Sequence, residues 1–193
     1  LKIMVTSDLL REPALEPARL LPAPTEKRYL DDGRLWQGIP SVERTSAGAA
    51  FVVFYSGGKT EQSGNFAVVI RSRGDGKTWV SPWLVIEHDH PEVRVFDPNV
   101  WLDPAGRLWL FWAQSRGKYD GRAGVWAVVT EQPDAEEPAW SLPRRIANGI
   151  MMNKPTVLKD GAWLLPCAVW ISHPAGEAHP ELENECLSNV YAS

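Results

Sequence analysis

Ser72-Arg73-Gly74-Asp75-Gly76-Lys77-Thr78-Trp79 lies between a strand-like run, Asn65 to Ser72, and a second apolar run, Trp83 to Ile86. The octapeptide has the composition of a tight hairpin turn. Gly74 and Gly76 permit positive φ, the Asp75 side chain can accept backbone N–H groups within the turn, and Trp79 is expected to bury its ring against the sheet. A turn of this make-up staples two strands together, so its role is structural.

Working outward, the same punctuation recurs. Ile39-Pro40-Ser41 leads through Gly48 into the run Ala50 to Tyr55, Asp97-Pro98-Asn99 through Gly106 into Leu108 to Ala113, and Lys154-Pro155-Thr156 through Gly161 into Ala162 to Trp170. Pro40, Pro98 and Pro155 stand 58 and 57 residues apart, and Trp79-Val80-Ser81-Pro82 is echoed 61 residues later by Trp140-Ser141-Leu142-Pro143. Each unit reads as a four-stranded antiparallel sheet with one enlarged loop, the size of a propeller blade. The expected strands are about 40–45, 50–56, 65–72 and 83–87, then 98–102, 107–114, 124–131 and 143–147, then 155–159, 162–171 and 188–191. No stretch has convincing helical periodicity, so the fold class is all-β. Residues 1–34, rich in proline and charge, are expected to form an extended arm. The partial propeller spans 35–193, with blades at about 35–90, 91–148 and an incomplete 149–193.

The octapeptide resembles the Asp-box, or BNR repeat, of the sialidase superfamily, whose pattern runs Ser-x-Asp-x-Gly-x-Thr-Trp. Ser72, Gly76, Thr78 and Trp79 match, while Gly74 holds the aspartate position and Asp75 follows it. The resemblance implies a sialidase-like β-propeller of four-stranded antiparallel blades. Since propellers close with about four to eight blades, fewer than three full blades imply a piece of a six-bladed propeller, or open flanks covered by a second copy. Gly38-Ile39-Pro40 falls where the family carries Arg-Ile-Pro, whose arginine grips the sialic acid carboxylate. Glycine cannot make that contact. The family's catalytic aspartate falls between Gly57 and Asn65, where Glu61 is the sole acid. Its tyrosine nucleophile belongs to later blades.

A propeller binds its ligand at one mouth of the central channel, among residues just before each innermost strand and loops joining second and third strands. That places Arg94, Asp97, Asn153 and Lys154 around one axis, with Lys59, Glu61, Gln114, Lys118, Asp120 and Arg122 above them. Asp97, with Glu61 or Asp120, is the candidate carboxyl pair for glycoside hydrolysis. Arg94, Asn153, Lys154, Lys59, Gln114, Arg122 and His173 are the candidate substrate contacts, with Arg94 and Lys154 orienting an anion. The same cations and acids would also serve a lyase that abstracts the proton α to a uronate carboxyl group, or a glycan- or protein-binding mouth without turnover. Glu43, inside the innermost strand, points either into the channel or at the neighbouring blade. His88 and His90 lack metal-ligand spacing, and neither metal nor cofactor is expected.

The rest of the composition sets bounds. The 193 residues are 44% hydrophobic and 23% charged with a formal net charge of −4, as for an ordinary globular domain without a basic stripe for nucleic acid. No apolar run approaches the roughly 20 residues of a membrane-spanning helix. Ten tryptophans, several beside β-branched residues, suit sheets packed face to face. Cys167 and Cys186 either pair or remain thiols. A removed leader would imply a secreted or periplasmic protein, and otherwise the cytoplasm is expected. The expected partner is an oligosaccharide or glycoconjugate.

Overall fold

The computed structural model describes residues 12–74, 76–117, 122–170 and 186–192. Strand β1 spans Arg19–Pro22, and β2 to β5 span Trp36–Arg44, Ala49–Gly57, Phe66–Arg73 and Val80–Glu87. A second group follows with β6 at Val93–Leu102, β7 at Leu108–Arg116, β8 at Gly124–Thr130 and β9 at Arg144–Asn148. A third has β10 at Thr156–Val157, β11 at Trp163–Ala168 and β12 at Ser188–Ala192. They form antiparallel sheets in the orders β1-β5-β4-β3-β2, β6-β7-β8-β9 and β10-β11-β12. Among the described residues no helix is long and apolar enough to cross a membrane.

The arm of the sequence reading carries more structure than an extended tail. Arg19 to Pro22 pair in antiparallel register with Glu87 to Leu84, adding a fifth strand to the first sheet. Tyr29 is fully buried against Phe66, and its hydroxyl donates to the Glu87 carboxylate at 2.6 Å.

The sheets stack face to face because alternate residues on both faces of the middle sheet are apolar. Phe51, Val53, Val69 and Ile86 of the first sheet share one core with Val100, Leu110, Trp112 and Val128 of the second. On the opposite face Trp101, Trp109 and Phe111 meet Leu165, Cys167 and Trp163 of the third sheet. Complete burial of a side chain such as Phe51 contributes on the order of 2–3 kcal/mol, so this double-sided core fixes the order of the blades. Cys167 lies within it, and no disulfide joins Cys167 to Cys186.

The innermost strands β2 and β6 lie side by side, and their free edges are stitched by side chains. Ser41 Oγ accepts from the Val100 amide at 3.3 Å, and Asn99 Nδ2 donates to the Met151 carbonyl at 2.9 Å. Ser41 and Asn99 each follow the repeated proline directly, so one sequence position fastens first blade to second and second to third.

These inner strands begin earlier than the sequence suggested, at Trp36 and Val93 rather than near 40 and 98. The repeated proline falls inside the strand, at a register shift between Gly38 and Ser41 and between Phe96 and Asn99. At such a bulge the missing proline N–H leaves no ladder bond unmade. Ile39 and Asp97 precede the two prolines and share a left-handed backbone, with φ of 49° and 44°.

The octapeptide forms the β4–β5 hairpin. Gly74 and Gly76 adopt φ of 116° and 67°, and Ser72 Oγ accepts from the Gly76 amide at 3.0 Å. Asp75 lies outside the described residues. Trp79 departs from expectation: it is 38% exposed at the outer rim, and its indole N–H closes the turn by donating to the Gly76 carbonyl at 2.9 Å.

Candidate functional site

Arg94 and Asp97 lie on β6 either side of Phe96, on the segment that enters the bulge. Tyr55 lies on β3 opposite Gly38, and Glu61 on the loop leaving β3. The four converge. Tyr55 is completely buried and its hydroxyl donates to Glu61 Oε1. Arg94 Nη1 stands 3.9 Å from Glu61 Oε2, and its guanidinium lies 3.8 Å over the Phe96 ring and 5.7 Å from the Tyr55 ring. A guanidinium stacked on aromatic faces keeps its charge away from water at a favourable distance.

Arg94 is nonetheless unusual. Only 1% of it is exposed, and its Nε and Nη1 have no hydrogen-bond partner. Burial pulls its pKa down, while Glu61, Tyr55 and Asp97 push it back. The sequence reading had Arg94 gripping a substrate anion; its guanidinium is instead closed off over the Phe96 ring, with Glu61 as its near counter-ion.

Asp97 and Glu61 occupy contrasting surroundings. Asp97 is 5% exposed and no described residue donates a hydrogen bond to it. Burial pushes its pKa up to about 6, with Arg94 pulling down and Glu61 pushing further up. Glu61 is more open, with its side chain 36% exposed, and receives both the Tyr55 hydroxyl and the Arg94 charge. A buried acid of raised pKa beside a more open carboxyl group is the arrangement that separates proton donor from acceptor. The left-handed φ of Asp97 is not by itself a sign of function, since Ile39 has the same backbone without any charge.

Other expected contacts lie elsewhere. Lys154 Nζ donates to Glu43 Oε2 at 2.9 Å and to the Val42 carbonyl at 2.6 Å, and the same Glu43 oxygen accepts from the Leu102 amide at 3.2 Å. Leu102 is the last residue of β6 and Arg94 the second, so Lys154 joins blades at the far end of that strand from Arg94. Glu43 thus faces the neighbouring blades; burial works against its charge, but Lys154 and the Arg44 and Leu102 amides outweigh it and hold the pKa low.

Gln114 is wholly buried, and its Nε2 donates to the carbonyls of Ala14 and Glu16 at 2.8 and 2.6 Å while its Oε1 accepts from Trp112. It anchors the arm and cannot touch a substrate. Asn153 and Lys59 are exposed, and Arg122 is half-buried with its carbonyl accepting from Arg145 Nη2 at 3.2 Å. Lys118, Asp120 and His173 lie outside the described residues. Met151 is buried in the core between second and third sheets, and Met152 is exposed. No metal-binding cluster of acids, histidines and cysteines occurs among the described residues.

Tyr55 went unnoticed in the sequence; its one signal is an aromatic ring opposite a glycine in a neighbouring strand. That glycine also explains the missing arginine. A Cβ on Gly38 would stand 3.0–3.1 Å from the Trp36 ring, which packs edge-on against Tyr55 at 4.8 Å. Trp36 fills the space an arginine would need.

Sheet order, the Asp-box turn and the stitched inner strands define a sialidase-like β-propeller of the BNR-repeat kind. Solved structures agree on this fold. A Hadza microbial sialidase, Hz136, superposes with a TM-score of 0.54 at 17% identity, over 70% of this chain and 32% of its own. A family 117 glycoside hydrolase, Zg3597, from the marine bacterium Zobellia galactanivorans gives 0.53 at 12% identity, over 82% and 56%. A protein of unknown function from Dyadobacter fermentans gives 0.50 at 14% identity, over 82% and 52%. The chain thus spans about a third to a little over half of the length of these structures. The chain belongs to the BNR repeat-like domain family, which matches residues 49–186. Comparison with curated proteins gives no match.

Proposed function

We propose that this chain supplies the carboxyl pair of a glycoside hydrolase site, with Asp97 as proton donor and Glu61 as its partner carboxyl group. The observation that carries the reading is the contrast between a buried, hydrogen-bond-free Asp97 and a half-open Glu61 held by Tyr55, with the buried Arg94 3.9 Å from Glu61 and its charge acting on Asp97. Asp97 protonates the leaving glycosidic oxygen. Glu61 either deprotonates the attacking water or attacks the anomeric carbon itself; the stereochemistry of the product distinguishes the two. Arg94 restrains the rise of the Asp97 pKa. The sialidase and the family 117 glycoside hydrolase that share the fold support carbohydrate chemistry as the class.

The acidic-glycan preference expected from the sequence rests on fewer cations than it did. Arg94 is closed and Lys154 is engaged with Glu43, so among the described candidate cations Lys59 is exposed and Arg122 half-buried. A lyase needs a cation on the substrate carboxylate as well as a base, so it is the weaker reading.

The full-length protein should be incubated with a sialoside, uronate-containing oligosaccharides and neutral aryl glycosides, and the products resolved by mass and ultraviolet absorbance. Hydrolysis that is lost in both Asp97→Asn and Glu61→Gln supports the assignment. An unsaturated uronate product establishes the lyase, and binding without turnover establishes the binding module. Hydrolysis that survives both substitutions removes this pair from the mechanism.

A further inference from the structure

A cavity of about 560 Å³ lies on the outer rim between first and second blades, away from the inner strands. Its walls include Trp83, Trp140, Arg73, Glu136, Glu137 and Pro22. The two indoles meet edge to face with centroids 6.2 Å apart. Four of its ten lining residues come from the β8–β9 connection, residues 131–143. Thirteen residues are spent there, against four to eight in the other hairpin connections of the first two sheets. A hairpin needs about two to five, so chain closure does not explain the length.

The long connection is latched onto the first blade rather than left hanging. Arg71, 2% exposed and stacked 5.0 Å over Trp83, donates through Nη1 to the Ala135 carbonyl at 2.7 Å. Thr45 Oγ1 donates to Asp134 at 2.7 Å, and Arg73 pairs with Glu136 at 2.8 Å. Three contacts from one blade therefore hold a groove wall supplied by the next. Such a groove exists before any ligand arrives, which lowers the ordering cost of binding.

We propose that this groove binds a neutral oligosaccharide, independently of the Asp97–Glu61 pair. Pyranose rings present apolar C–H faces that suit indole surfaces and hydroxyls that suit carboxylate and guanidinium groups. The wall carries Glu136 and Glu137 against one arginine, and Arg73 is already paired with Glu136. Glu137 makes no ion pair with a described residue. The surplus negative charge turns away acidic sugars and leaves a carboxylate for sugar hydroxyls. A peptide added as a strand would need an open sheet edge. The edge strand here ends in Pro22, which has no N–H, and the next amide, Ala23, is already donated to the Trp83 carbonyl.

The test is isothermal titration of the full-length protein with cellohexaose, xylohexaose, mannohexaose and maltohexaose, and with a Lys-Pro repeat peptide as the competing ligand. Saturable binding of at least one hexasaccharide is expected. It should weaken about tenfold in Trp140→Ala, which removes a ring contact worth about 1.4 kcal/mol, weaken several-fold in Glu137→Gln, and persist in Asp97→Asn. Glu137→Gln guards against a folding defect in Trp140→Ala, because Glu137 is exposed. Binding of no hexasaccharide, binding unchanged in both groove variants, loss in Asp97→Asn, or binding of the peptide alone overturns the proposal.

Discussion

Asp97→Asn should remove a pH dependence from the stability of the protein, by an amount set by the Asp97 environment. In the unfolded chain an aspartate titrates near 3.8, and in the folded protein burial lifts Asp97 to about 6. Between those values the native state holds a proton that the unfolded state has released. Stability conferred by this group is therefore fully present below about pH 4 and declines as pH rises through 6. At about 1.4 kcal/mol per pH unit the full loss is about 3 kcal/mol, an order-of-magnitude value. Asparagine has the same shape and does not titrate, so any fixed cost of its burial is the same at every pH. Urea denaturation of wild type and Asp97→Asn at pH 4.0 and 7.5 isolates the effect. The variant should gain about 3 kcal/mol on wild type between the two conditions, most of it between pH 4 and 6. A stability difference that stays constant with pH would refute the assignment of Asp97 as the buried carboxyl group of raised pKa.

Arg94→Met removes the cation that restrains Asp97, so the acidic group in the pH–rate profile should move to higher pH; an unmoved profile shows that Arg94 does not act on the pair. Gln114→Ala deletes both side-chain bonds to the arm and should cost about 2 kcal/mol, with faster hydrogen exchange confined to the segment around Ala14 to Glu16, read by mass spectrometry. Ser72→Ala removes the turn acceptor and should cost about 1 kcal/mol by thermal denaturation, without change in catalysis. Lys154→Met leaves Glu43 without its cation, and since that carboxylate is held below its ordinary pKa, the stability it confers, present above pH 4.5 and lost as pH falls, should shrink; acid unfolding of the variant should begin at higher pH.

Several parts of this picture are written locally in the chain. Glycines at 74 and 76 and the serine at 72 dictate the hairpin, and the spacing of Pro40, Pro98 and Pro155 marks the inner strands. Asp97 could be singled out because it is an acid just before the repeated proline of an innermost strand. What local pattern concealed depends on distant partners. Gln114 looks like a mouth residue at the end of a strand, yet the carbonyls that bury it come from residues about 100 positions earlier. Arg94 looks like an open cation, and only the convergence of Phe96, Tyr55 and Glu61 closes it. The inner strands were started too late because proline usually ends a strand, whereas at a bulge it stays within one.

Ser41 and Asn99, each one residue beyond the repeated proline, make each of the first two blades carry half of its own fastener. Duplicating a gene segment that encodes a blade would duplicate the coupling along with the sheet, so a new blade would arrive able to dock. A blade could then drift in its loops and mouth residues while this one register position stays polar. Thr156 holds that position in the third sheet, which makes it a sharper guide to how such blades multiply than any residue of the turn.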